Sequence, residues 1–585
     1  MHHAQATKLM PICNRCLQYG LHSRAFRVLS RKSFRLTDLL SSRKPAYVSS
    51  PIFYVNSVPH IGHLYSMLFA DVMKRFYELQ GRPVIFSTGT DEHGLKIQQS
   101  AKKAKKPPSV FCDEISSSFV SLAKKANVSY TDFIRTTEPR HYKAVDALWT
   151  RLCDAGFIYK GHHEGWYSIS DETFYPPSQV ADETQPDGSV VKIARDSGQR
   201  VEWTREENYK FKLGSMRNQL LEWLQNNPTA IVPQQKWEEV IEHIKSLTET
   251  PDSDLSISRL KSRVDWGIPV PNDPDHVIYV WLDALTNYLT VTGYPWTESV
   301  SKKDYWPAEC HIIGKDIIKF HAIYWPAFLM AAGLPPPNKI IVHAHWLMGR
   351  FKMSKSRGNV VDPVKLLDEF GVDAVRYFLI RDGGMNHDAE FSMQSIKTRK
   401  VNDLADQLGN FAMRCTASSI IADGVVPQLP HPFAIPSFNR ELREFGSKTP
   451  VYFALQQLYD LKSSLTFLTK NTFKAAVTHS VRKGQLGQYL ETVSRLIVQG
   501  NKYWQDSEPW KMDQNSNEFK TCVYVSLEIC RLVGIALQPV IPDASGALLD
   551  GMGVGKTRRR WKELVFSRKE GGRRLGEMKP IFPKT

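Results

Sequence analysis

Residues 46–63 constrain the fold more tightly than any other stretch. A β-type run, Ala46 to Ser50, passes through Pro51-Ile-Phe-Tyr-Val-Asn-Ser-Val-Pro-His-Ile-Gly-His63 into an apolar pattern of helical spacing from Leu64 to about Leu79. A second strand, Val84 to Thr88, ends at Gly89-Thr-Asp-Glu-His-Gly94. Strand, glycine-bearing turn and helix in succession predict a parallel α/β sheet, in which ligands collect at the carboxyl ends of strands. Both glycine-bearing turns fall at such ends.

The alternation weakens between about 160 and 255, where Gly, Pro, Asp and Ser punctuate shorter elements, and returns near Val277-Ile-Tyr-Val-Trp281. From about 400 onward Leu, Ala, Val and Arg recur at helical spacing, predicting a bundle whose first helix is set apart by a Pro-rich stretch at 427–436. The expected architecture is an α/β Rossmann-like catalytic domain with an inserted connective domain, followed by an all-α domain. Its expected parts are a leader (1–44), the two halves of the α/β domain (45–155 and 266–350) around the insertion (156–265), a linker (351–400), the helical domain (401–550) and a tail (551–585).

The formal charge of +16 suggests a polyanionic partner, but the excess sits at the two ends. Residues 1–44 carry nine Lys or Arg against Asp38, and residues 556–585 carry eleven against Glu563, Glu570 and Glu577, so each segment is +8 and the remainder is neutral. The first segment is acid-poor and rich in Arg and Ser. On a helix, Arg24, Arg27, Arg31 and Arg35 form one face opposite Ala25, Phe26, Leu29 and Leu36, which is the character of a mitochondrial transit peptide. A disordered basic tail is the alternative. At the other end, cations interleaved with Trp561 and Phe566 could grip nucleic acid, but charge runs are more often solvated, and a solvated end is expected.

No apolar run reaches the roughly 18 residues a membrane span needs, and the stretch near 323–334 is broken by Pro326, so no membrane partner is expected. Eight scattered cysteines form no disulfide framework, and the lone Cys13-x-x-Cys16 lies inside the leader.

Two motifs suit phosphate. His60-Ile-Gly-His63 opens a helix directly after a strand, where free amides and partial positive charge meet an anion, two imidazoles can donate, and Gly62 lets a nucleotide approach the backbone. Taken alone, it is equally compatible with a histidine pair satisfied within its own turn. Lys352-Met-Ser-Lys355-Ser356 gathers cations and hydroxyls that suit a triphosphate and its leaving pyrophosphate; a solvated basic loop is the bland alternative.

In this order, on an α/β domain interrupted by an insertion, the two motifs resemble the paired signatures of class I aminoacyl-tRNA synthetases. Four further stretches are similar to methionyl-tRNA synthetases: Pro51-Ile-Phe-Tyr-Val-Asn, Thr88-Gly-Thr-Asp-Glu-His-Gly, Tyr279-Val-Trp-Leu-Asp-Ala-Leu-Thr-Asn-Tyr288 and Gly314-Lys-Asp-Ile-Ile-Lys-Phe-His321. The resemblance covers nearly all of residues 46–550. It implies activation of methionine by ATP with Mg2+, then transfer to mitochondrial tRNA-Met bearing a CAU anticodon. Ile52, Tyr54, Asp91, Trp281, Ala284, Leu285, Tyr288, Ile317 and His321 would form the methionine pocket. His60 and His63 would meet the phosphates, Gly314, Asp316 and Val342 the nucleoside, and Lys352 and Lys355 the pyrophosphate. Asn410, Arg414 and Trp510 would read the anticodon, making the helical domain the anticodon-binding one.

The residues themselves agree in part. Trp281, Ala284, Leu285 and Tyr288 share one face if that segment is helical, and aromatic rings with one hydroxyl donor can wrap a polarizable thioether. Asp91 at a strand end can pair with an ammonium group. Asn410 and Arg414, four apart, can project from one helical face toward an unpaired base. An ordinary core stripe, a capping Asp and a surface polar pair are the plain alternatives. Where many relatives carry zinc-binding thiolates after a Trp-Tyr, this chain has Ser168 and Asp171 after Trp166-Tyr167, so no zinc is expected. A monomer is expected. The insertion, roughly 120 residues, is short for the editing domain of synthetases for Leu, Ile or Val. A nucleotidyltransferase and a catalytically idle tRNA-binding protein stand as rivals; the helical region argues against the first, and His60, His63, Lys352 and Lys355 against the second.

Overall fold

The structure, a computed structural model, describes residues 44–169, 173–175, 177–185, 187–250, 253–297, 302–353, 359–430 and 472–583. The leader apart from Lys44, with Cys13 and Cys16, lies outside the described residues, as do Asp171, Lys355 and the side chain of Lys352.

Six parallel strands build the central sheet: β1 (Ala46–Tyr54), β2 (Val84–Asp91), β3 (Asp132–Arg135), β4 (Ile231–Val232), β5 (Cys310–Gly314) and β6 (Ile340–His343), in spatial order β3-β2-β1-β5-β6-β4. The chain winds outward from β1 to β3 on one side and from β5 to β6 on the other. The reversal between β1 and β5 opens a crevice at the carboxyl ends, where open α/β sheets take their ligands. Helix α1 (Ile61–Leu79) leaves β1 and runs back along the sheet with Ile61, Leu64, Leu68 and Phe76 in the core.

Both leading strands run further than the sequence pattern suggests. The β1–β2 register shifts between Ser49 and Ile52, which accommodates Pro51 with its missing N–H, and pairing then resumes to Tyr54 and Asp91. A Cβ at Gly89 would stand 1.9 Å from the Ile134 carbonyl oxygen of β3, so only glycine allows the two strands to pair there.

Within the stretch 156–265, a long antiparallel pair joins Ile158–Ser168 to Glu202–Phe211, with Thr173–Tyr175 on its edge, while β4 returns to the main sheet beside β6. Beyond it come α2 (Val280–Thr290), α3 (Val372–Asp382), α4 (Asn410–Cys415), α5 (Leu486–Ser507) and α6 (Asn517–Leu537). Helix α6 is buried almost throughout, as the central member of a bundle must be.

The tail corrects the expectation of a solvated end. Trp561 and Leu564 are buried, the Trp561 ring meets Phe76 of α1 edge to face at 4.9 Å, and its indole N–H donates to the Thr478 hydroxyl at 3.0 Å. Buried Glu570 pairs with Arg558 and Arg573. The apolar residues between the cations dock the segment, while cations such as Lys562 stay at the surface and the Arg573 guanidinium is itself buried beside Glu570.

Candidate active site

At the start of α1 the two histidines cap their own helix. His60, extended at φ −127 and ψ 176, accepts the Gly62 N–H on Nδ1 at 3.0 Å, and His63 Nδ1 accepts the His60 N–H at 3.1 Å. Imidazole here replaces the usual Ser, Thr, Asp or Asn cap. With each Nδ1 accepting, the proton of each neutral ring sits on Nε2, so each ring has a donor edge in addition to its capping edge. The rings stack at 3.8 Å, and His63 is flanked by Phe53 and Phe119 at 5.1 and 5.3 Å. The two readings of the motif are thus compatible: the pair is satisfied within its turn and is also a donor pair at a helix N-terminus.

A Cβ on Gly62 would lie 2.9 Å from His60 Cε1. Gly62→Ala should therefore push the His60 ring off its cap and, if the pair meets a phosphate as the resemblance implies, cut ATP–pyrophosphate exchange about tenfold to a hundredfold; unchanged exchange would show that the ring position is immaterial.

Helix α2 carries the aromatic face. Ala284, Leu285 and Tyr288 are buried, and Trp281 stacks flat on Phe320 at 3.6 Å and 7°. Ile52, Tyr54, Trp281 and Ile317 are partly buried and pack against the cluster that contains Leu285 and Tyr288. His321 lies in a π-helical turn, Phe320–Tyr324, a wide turn that recurs at functional sites. Its Nδ1 donates to the Ile317 carbonyl at 2.9 Å, and burial lowers its pKa to about 4, so the ring is neutral and Nε2 accepts the Tyr288 hydroxyl at 2.8 Å. The Tyr288 proton thus points to His321 and is not the hydroxyl donor for a thioether, for which shape and dispersion are the main expected means of selection. Tyr288 also stacks on His311 at 4.1 Å.

Asp91 closes β2, paired across the sheet with Tyr54, whose hydroxyl donates to the His93 carbonyl at 3.0 Å. Behind this turn lies a group the sequence reading missed. Fully buried Asp283 of α2 accepts His93 Nδ1 at 2.7 Å and His141 Nε2 at 2.8 Å. Burial pushes its carboxyl up, but the two histidines outweigh it and hold it below the usual carboxylate range. An acid inside the apolar run Val-Trp-Leu-Asp-Ala-Leu was the available signal.

On the nucleoside side, Gly314 ends β5 and Asp316 lies in the turn after it, about half exposed, with His345 Nε2 at 3.3 Å from its carboxylate. Val342 is wholly buried in β6, so a role at a nucleoside falls to its peptide group. His343 and His345, also missed, brace this region: His343 Nε2 meets the Ser66 hydroxyl of α1 at 2.7 Å, and the His345 N–H donates to Asp388, the partner of Lys315. The signal was His-x-His at a strand end. Lys352 stands in a two-residue strand paired with Trp346–Met348.

In the helical region, Asn410 and Arg414 line one cavity of about 670 Å³ together with Asn501 and Lys502 of α5. Asn501 accepts from the Arg414 guanidinium and donates to the Gln407 and Ile497 carbonyls at 2.9 and 3.1 Å, so it fixes the arginine. Trp510 is half exposed and does not line this cavity. As for zinc, Ser168 is fully buried, Asp171 lies outside the described residues, and among the described residues no three His, Cys, Asp or Glu side chains are gathered to hold a metal ion.

A doubly wound sheet, a histidine-capped turn at its switch point and an appended helical bundle define a class I aminoacyl-tRNA synthetase. Residues 46–416 match the family described as tRNA synthetases class I (M), and residues 470–570 match the anticodon binding domain of methionyl tRNA ligase. The chain belongs to the methionyl-tRNA synthetase family. It is 45% identical over 528 residues to the mitochondrial methionine–tRNA ligase of Mus musculus, covering 89% of this chain and 87% of that one. It is 44% identical over 554 residues to the Homo sapiens protein of the same name, covering 92% and 90%. A solved Mycobacterium tuberculosis methionyl-tRNA synthetase bound by methionyl-adenylate superposes with TM-score 0.80 at 37% identity, covering 92% of this chain and all of that one.

Proposed function

We propose that the chain is a methionine–tRNA ligase of the mitochondrial matrix, which joins methionine to ATP, releases pyrophosphate and passes the methionyl group to tRNA-Met. The observation that carries this reading is the α2 face, where Trp281, Tyr288 and neutral His321 meet. Methionine lies with its thioether against that face and its ammonium on Asp91. Its carboxylate attacks the α-phosphorus in line, and no side chain becomes covalently bound. His60 and His63 donate Nε2–H to phosphate oxygens, and Lys352 and Lys355 take the charge that grows on the pyrophosphate. Mg2+ arrives with the nucleotide as Mg–ATP, the substrate form. Asp316 accepts from ribose hydroxyls, beside the Gly314 and Val342 peptides. Asn410, Arg414 and Trp510 read the CAU anticodon, with the cavity and half-exposed indole as support.

The names of the relatives and the Arg-striped face of residues 24–35 support the mitochondrial location. Uptake by isolated mitochondria tests it, and sedimentation tests the expected monomer.

The deciding assay is amino-acid-dependent ATP–pyrophosphate exchange, then charging of a CAU tRNA. Exchange with leucine alone, or none, refutes the reading. Lys355→Ala should suppress adenylate formation by about a hundredfold or more while methionine binding stays nearly intact; normal exchange in that variant would remove Lys355 from its role.

A further inference from the structure

Arg259 is a buried cation that must be compensated, because a charge removed from water without partners is costly. No carboxylate among the described residues ion-pairs with it; neighbouring Glu206 lies 3.6 Å from Arg263 instead. Beyond the longer-range charge of Glu206, its close compensation is aromatic. The guanidinium carbon stands 5.1 Å from the ring centre of Tyr167, 5.0 Å from Phe174 and 4.7 Å from Tyr279, and Nη1 donates to the Ser258 carbonyl at 2.7 Å and the Ser256 hydroxyl at 3.0 Å. Three ring faces around one desolvated guanidinium make a cation–π cage.

The three rings belong to separate elements. Tyr167 is the last residue but one of the long strand 158–168, Phe174 sits on the strand at its edge, and Tyr279 caps the start of α2, two residues before Trp281. The cage therefore fastens the edge of the insertion to the first turn of the helix that bears the aromatic face. We propose that Arg259 is a positioning residue for methionine, a cationic cross-link that sets the angle of α2 at the pocket. This rests on the methionine-pocket reading given above.

The test is pyrophosphate exchange by the full chain, with methionine and ATP varied separately. Phe174→Leu, which removes one ring but leaves the cation and its hydrogen bonds, and Arg259→Lys, which keeps charge but not the planar fork, should each raise the KM for methionine about three- to tenfold and leave the KM for ATP within about twofold. A variant that melts at lower temperature with an unchanged methionine KM overturns the proposal, since the cage then only holds the insertion together. Equal rises in both KM values overturn it as well. Failure of the pocket reading is distinct: the unsubstituted chain would then lack methionine-dependent exchange, and both claims would fall.

Discussion

Asp283→Ala should raise the KM for methionine about a hundredfold, lower the melting temperature, and disturb the KM for ATP far less. The carboxylate is fully buried on α2 and accepts both His93 and His141. His93 follows Asp91 by two residues, and His141 comes from the helix Pro139–Asp154, so one side chain joins the proposed ammonium end of the pocket to its proposed aromatic end. Alanine would leave two buried N–H donors unmet, at about 1–3 kcal/mol each, and about 2.7 kcal/mol corresponds to a hundredfold change. Asp283→Asn keeps one acceptor and should lose about tenfold. The pH dependence follows the sign of the shift. Because the folded-state pKa is depressed, the stabilisation is complete above the unfolded Asp value of about 4 and is lost only as pH falls through the lower folded value. A methionine KM that is unaltered in the alanine variant would detach Asp283 from the pocket.

The same residue marks where sequence reading stops. Features carried by one short stretch were legible: the strand, turn and helix of 46–79, the shared face at 281–288, and the i, i+4 placement of Asn410 and Arg414, because helical and strand periods convert local spacing into geometry. Partnerships across the fold were not. His93 and Asp283 are 190 residues apart, Ser66 and His343 are 277 apart, and nothing in their local spacing states the pairing. The tail failed for a different reason: Trp561 was seen among the cations but weighed as a contact for nucleic acid, whereas its burial with Leu564 in the fold decides the segment's state. The direction of the Tyr288 proton needed the tautomer of His321, which only the Ile317 carbonyl fixes.

Arg376→Met should separate the two halves of the reaction, reducing tRNA charging at least about tenfold while methionine-dependent exchange stays within about threefold at temperatures where the variant is folded. Arg376 of α3 is wholly buried and pairs with buried Asp71 of α1 at 2.6 Å. It also donates to the Val540 and Pro539 carbonyls, at 2.8 and 3.1 Å, in the turn after α6, and to the Ala126 and Asn127 carbonyls at 3.1 and 3.2 Å. One guanidinium thus holds α1, the helix capped by His60, against the turn that follows α6 of the helical bundle. Breaking such a buried pair costs about 3–5 kcal/mol, although Asp71 retains Arg75 and Ser129. On the proposed roles, adenylate chemistry needs only the crevice of the sheet, whereas charging needs the bundle held at a fixed angle to it, because the proposed anticodon cavity and the crevice would engage one tRNA together. Combining Asp71→Asn with Arg376→Met checks the assignment: if the pair is the clamp, the double variant should lose much less than the sum of the single losses, and additive losses would place the coupling elsewhere.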